Sequence, residues 1–76
     1  MNIFESSIDL TDLKCPLPLL KTKLLFSDLS SGECLNILTS DPVSWNDFQS
    51  FSKITGNKII EKKKQNKNFY FRIQKK

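Results

Sequence analysis

One side chain in this 76-residue sequence is a ready nucleophile. Cys15 is followed directly by Pro16, Leu17 and Pro18. A thiol reacts as its thiolate, and the unpaired N–H groups and positive dipole end of a helix N-terminus stabilise that anion. Two closely spaced prolines suit a first helical turn, where their missing N–H groups cost nothing. If Pro16 is the first helical residue, Cys15 sits at the helix start, and Pro16 and Pro18 preset its direction. The sequence contains no histidine, so Lys14 and the helix end are the evident activators. Spacing alone leaves open a passive cysteine that serves as a small apolar residue. Cys34 opens an apolar strand, where a buried inert thiol is the default and a resolving partner for Cys15 the alternative.

Two cysteines without histidine exclude the common zinc patterns and any Cys-His catalytic pair within the chain. No metal and no cofactor are therefore expected. Asp41 and Asp47 resemble an acid pair, but helix capping accounts for the first and a first-turn position for the second. Trp45 reads as a partial lid on its helix. A chain of this length builds little wall around a ligand, which favours carriers and binding modules over self-sufficient enzymes. Neither a secretory leader nor an apolar run of spanning length is visible, so the expectations are a cytoplasmic protein, no membrane insertion and a monomer.

Charge is unevenly placed. Residues 57–76 carry a net +7 and residues 1–56 a net −3, within a total of +4. Lys62, Lys63, Lys64 and Lys67 attract either an acidic partner protein or RNA; contact with RNA is expected to be weak, because no common RNA-binding motif accompanies them. The competing reading is a solvated hairpin whose lysines discourage edge-to-edge aggregation.

The elements that position these groups follow from periodicity. Ile8 and Leu10 alternate with Asp9 as a half-buried strand. A helix from Pro16 runs to about Leu29 and stops at Ser30-Ser31-Gly32. Glu33–Ser40 reads as a strand, and Asp41-Pro42 opens a second helix in which Phe48, Phe51 and Ile54 recur before Gly56. Ile59 and Ile60 begin a strand that turns at 65–68, and Phe69, Phe71 and Ile73 alternate with Tyr70 and Arg72. The order βαβαββ over residues 1–76, as a single domain, implies an α/β (α+β) two-layer sandwich: two helices packed on one face of a mixed four-stranded sheet.

The run Asp9-Leu10-Thr11-Asp12-Leu13-Lys14-Cys15-Pro16-Leu17-Pro18 resembles the signature of the TusA/SirA-like (YedF-like) sulfur carriers. Lys21 falls where that family often has a basic residue, and the likeness continues through Gly32-Glu33, Asp41-Pro42, Asp47-Phe48 and Phe51 to the last hairpin. It implies the same βαβαββ sandwich and a sulfurtransferase-type role. Cys15 would accept sulfane sulfur as a persulfide from a cysteine desulfurase or other sulfur donor. It would then pass the sulfur to a downstream acceptor protein, for example toward tRNA thiolation.

Thr11-Asp12 departs from the Arg-Gly usual in relatives. Aspartate tolerates the left-handed backbone such a turn needs, but its charge beside Cys15 is expected to oppose thiolate formation. Asp12 and Lys14 are thus the candidate modulators of the thiol. The first helix carries two apolar stripes: Leu19, Thr22, Phe26 and Leu29, which match the family's usual core face, and Leu17, Leu20 and Leu24. By that resemblance Leu17 and Leu20 are exposed beside the thiol and dock a partner, with Lys62, Lys63 and Lys64 as further docking residues. A broad apolar face absorbed by the core is the other option. The alternative function is a non-catalytic regulatory or interaction module of the same fold, contacting RNA through its basic end.

Overall fold

The computed structural model describes residues 5–76. Six elements follow in the expected order: β1 (Glu5–Leu10), α1 (Leu17–Ser27), β2 (Cys34–Thr39), α2 (Val43–Thr55), β3 (Lys58–Gln65) and β4 (Asn68–Gln74). The strands form one sheet in the order β1-β2-β4-β3. β1 runs parallel to β2, and β4 runs antiparallel to both β2 and β3.

Strand alternation sorts the side chains. Leu10, Leu35, Ile37, Phe71 and Ile73 turn toward the helices and are buried with Phe26, Phe48 and Phe51. Phe48 meets Phe71 at 5.0 Å between ring centroids, and Phe26 meets Phe51 at 5.5 Å, so the helices are fastened to the sheet and to each other through tilted aromatic pairs. The hydroxyls enclosed in this layer are satisfied. Thr22 Oγ1 donates to the Pro18 carbonyl at 2.8 Å, and Thr39 and Ser44 share a hydrogen bond of 2.6 Å, as burial of a polar group requires. The opposite sheet face carries Ser7, Asp9, Asn36 and Tyr70, and the Tyr70 hydroxyl donates to Asn36 Oδ1 at 2.8 Å.

Several local expectations are corrected. Helix α1 begins at Leu17, with Pro16 as its N-cap and Pro18 within its first turn, and it ends at Ser27 rather than near Leu29. Asp28 closes it, and Gly32 enters β2 with φ 90°. Pro42 is likewise the residue before α2 rather than its first, while Gly56 ends α2 in the left-handed region as expected. Ile54 follows the apolar period yet is 84% exposed. It lines the groove between α1 and α2 with Leu19 and Lys23 rather than joining the core. Ile60 lies at a register shift between Ile59 and Glu61 and is exposed; the extra residue of a bulge drops out of the in-out alternation.

Along α1 the two stripes separate cleanly. Thr22 and Phe26 are buried and Leu19 packs against the core, whereas Leu17, Leu20 and Leu24 are 46%, 48% and 70% exposed. The broad buried face is therefore excluded.

Candidate functional site

The site forms at the C-terminal ends of the parallel strands β1 and β2. Past Leu10 the chain makes a tight turn in which Asp9 Oδ1 accepts from the Thr11 N–H at 2.9 Å and from its hydroxyl at 2.6 Å. These bonds hold the Asp9 carboxyl below the usual carboxylate range. Asp12 adopts φ 71°, the left-handed backbone expected of it, and its N–H donates to Ser40 Oγ at 2.8 Å. The turn is thereby tied to the exit of β2. Lys14 and Pro16 then give their carbonyls to the first N–H groups of α1, Leu17 at 2.9 Å and Leu20 at 3.1 Å.

Cys15 lies one residue outside the N-cap of α1 and is exposed. Its surroundings come from α2 and the segment that leads into it. The Cys15 N–H donates to Asp41 Oδ2, while Asp41 Oδ1 accepts from the Val43 N–H at 3.1 Å. One carboxylate thus joins the α2 start to the thiol loop. The Cys15 Sγ donates to Asp47 Oδ2 at 3.5 Å. Partial loss of hydration, the hydrogen bond to Asp47, and the charges of Asp47 and Asp41 push the Cys15 thiol above its ordinary pKa.

The direction is the one expected of a nearby carboxylate, but the carboxylates are Asp47 and Asp41 rather than Asp12. Stabilisation of a thiolate by the α1 end and Lys14 gives way to an acidic neighbourhood that favours the thiol. Asp12 is not among the groups that shift Cys15; its carboxylate leaves that role to Asp41 and Asp47. The dipole account of Asp47 also fails, because it is the fifth residue of α2 and the first turn holds no acid. One signal was available in the sequence. Ser44, Asp47, Phe48 and Phe51 recur at helical spacing, so Asp47 borders the stripe that meets α1 rather than the solvent face.

Cys34 is buried at the start of β2, while Cys15 follows the far end of β1. The six-residue β2 strand separates the two levels by about 16 Å, at about 3.3 Å of rise per residue. That exceeds disulfide reach, so Cys34 is no resolving partner for Cys15 in this arrangement.

The basic hairpin shares this end of the sheet but lies at its other edge, since Leu10 pairs with Thr39, Thr39 with Phe69 and Phe69 with Lys64. Its lysines are placed rather than loose. Lys64 Nζ lies 4.6 Å and Lys62 Nζ 5.5 Å from the Trp45 ring centroid. Lys62 also donates to Gln49 Oε1 at 2.8 Å. Lys63, on the opposite face, pairs with Glu61 at 3.3 Å and lies 5.8 Å from the Tyr70 centroid. Trp45 is not a solitary lid: it packs on Phe69 and Phe71 at 5.9 and 5.4 Å.

The fold is a small two-layer sandwich that carries an exposed thiol, followed by a proline, beyond its first strand. The chain belongs to the sulfurtransferase TusA family, whose profile matches residues 6–75. It is 40% identical over 72 residues to the sulfur carrier protein TusA of Allochromatium vinosum, with 95% of each chain covered. To the sulfur carrier protein TusA of Pseudomonas aeruginosa it is 26% identical, covering 95% of this chain and 91% of that one. In fold it is similar to the crystal structure of a SirA-like protein from Desulfitobacterium hafniense, with a TM-score of 0.78 at 23% identity over 90% of this chain and 93% of that chain. Among the described residues no helix is long and apolar enough to cross a membrane.

Proposed function

We propose that this protein is a cytoplasmic sulfur carrier in which Cys15 accepts one sulfane sulfur as a persulfide and relays it to a partner. The observation that carries this reading is the exposed Cys15 thiol, held by Asp41 and Asp47 at the proline-capped start of α1 in a chain of the TusA family. The donor is a cysteine desulfurase or another protein bearing a persulfide. The Cys15 sulfur attacks the outer sulfur of the donor's R–S–SH, a new S–S bond forms at Cys15, and the donor's S–S bond breaks. The donor cysteine leaves as a thiol, taking up the proton that Cys15 gives. Sulfur is exchanged with no net oxidation, so no cofactor is needed. Delivery repeats the step with the carrier as donor, for example toward tRNA thiolation.

Docking falls to two surfaces. Leu17, Leu20 and Leu24 offer an apolar strip next to the thiol, of the kind that marks an interaction site. Lys62, Lys63, Lys64 and Lys67 steer an acidic partner, or RNA bound to the acceptor, without reading sequence. The raised thiol pKa favours a second reading, a regulatory module of the same fold in which Cys15 carries no sulfur. Intact-mass measurement after incubation with a cysteine desulfurase and cysteine separates the two. The carrier gains one sulfur, reductant removes it, and Cys15→Ser abolishes the gain while far-ultraviolet circular dichroism stays unchanged. A gain confined to Cys34, or none at all, overturns the assignment.

A further inference from the structure

The sulfur of Cys15 is exposed, and its S–H is directed at Asp47 Oδ2, 3.5 Å away on the other helix. Asp47 has no evident duty in the fold. It caps nothing, it lies beyond the first turn of α2, and the salt bridge found among the described residues joins Lys63 to Glu61 instead. Its carboxylate lines the groove between the helices, beside Leu19, Lys23 and Phe51. The charged groups that act on the sulfur are Asp47 from α2 and Asp41 from the segment leading into it. The backbone of Cys15 is fixed independently, by Asp41. The loop would therefore keep its place if Asp47 lost its charge.

We propose that Asp47 is a positioning residue that holds the resting Cys15 sulfur protonated and turned toward α2, keeping the carrier quiet until a docking donor displaces that contact. An exposed thiolate would be open to peroxides and to exchange with any disulfide it met, and both reactions follow thiolate content. An S–H held by a carboxylate avoids them. Once the contact is displaced, the proton passes to the departing donor thiol as in the transfer step above. The part of this inference that names a donor rests on the sulfur-carrier reading; the quiet thiol does not.

Alkylation of Cys15 by iodoacetamide, followed by intact mass across a pH series, tests it without any sulfur donor. Its failure and the failure of the carrier reading are therefore separate outcomes. Asp47→Asn keeps the shape and removes the charge. Its rate profile should move to lower pH, with the rate near neutrality rising about fivefold, the factor expected for one unit charge near 4 Å in a water-like dielectric. The high-pH plateau and the melting temperature should stay unchanged, and Asp12→Asn should leave the profile in place. A lowered melting temperature with an unmoved profile would make Asp47 merely structural and overturn the proposal. Raising ionic strength on the wild-type protein supplies a second measurement independent of folding. Screening should shift the profile in the same direction, and an unmoved midpoint counts against it.

Discussion

The thiol loop and the basic hairpin occupy the same end of one sheet, at opposite edges, and they are built in opposite ways. Around Cys15 the ordering groups are the Ser40 hydroxyl and two carboxylates, Asp41 before α2 and Asp47 within it, and each contact is a directed hydrogen bond. Around Lys62 and Lys64 the ordering groups are aromatic rings, and the charges rest on their faces without a fixed acceptor apart from Gln49. A directed hydrogen bond fixes one atom, which chemistry at a single sulfur requires. A cation over a ring fixes a charge and leaves the direction of approach open, which suits long-range steering. On the proposed function, reaction at the sulfur and steering of a partner fall to different edges of one small molecule.

Changes on either side should keep that division, beginning with the most damaging. Cys15→Ser should remove sulfur loading completely with the fold intact, as read by intact mass. Beneath both regions, Phe48→Ala should cost about 3–5 kcal/mol of stability by urea denaturation, because Phe48 is fully buried against Phe71. A loss below about 1 kcal/mol would show that the core closes over the gap. Replacing Leu17 or Leu20 by serine should weaken sulfur transfer severalfold with the melting temperature nearly unchanged, since both are about half exposed. A sharp fall in melting temperature would return that stripe to the core.

Changing Lys62, Lys63 and Lys64 together to glutamine should slow association with an acidic partner at low salt and flatten its salt dependence, while leaving transfer within a docked complex untouched. Stopped-flow association across an ionic-strength series checks this, and a wild-type rate at low salt would reduce the hairpin to an aggregation guard. The smallest effect is expected at Asp12. Asp12→Gly should leave Cys15 alkylation unchanged near neutral pH and add at most about 1 kcal/mol of stability, from relief of a positive φ.

The pH dependence of the thiol has a definite sign. A raised pKa means that the folded state prefers the protonated form, so alkylation rises with pH through a midpoint above that of an ordinary cysteine. Folding stability tied to this group is present at lower pH and lost as pH climbs through the raised pKa. A midpoint at or below that of a free cysteine would show that the α1 end dominates after all.

Much of this was legible from residue order. Alternation at Phe69, Phe71 and Ile73, the two prolines after Cys15 and the glycine at position 56 each announce a backbone state that physics makes nearly obligatory there. The left-handed turn at Asp12 was legible only through the family resemblance, from the glycine usual there in relatives. Unreadable from spacing was the cross-helix geometry. Asp41 and Asp47 lie 26 and 32 residues from Cys15, and their reach depends on how α2 is rotated against α1. Capping explains Asp41 from local sequence alone, and the helical spacing of Asp47 with Ser44, Phe48 and Phe51 shows which flank it borders but not what it meets there. Ile54 failed differently: it keeps the apolar spacing yet lines the groove between the helices instead of joining the core.

Trp45 is the single tryptophan of the chain, and two ammonium groups rest on its ring. Indole emission responds to nearby charge, so this residue is a built-in optical gauge of the hairpin. An acidic surface that draws Lys62 or Lys64 away alters the colour and yield of that emission without any label. Alkylation reads the sulfur at the other edge, and the two signals belong to different events. Arrival of a partner can thus be timed by emission from the unmodified protein, and the state of the sulfur by alkylating samples withdrawn along the way.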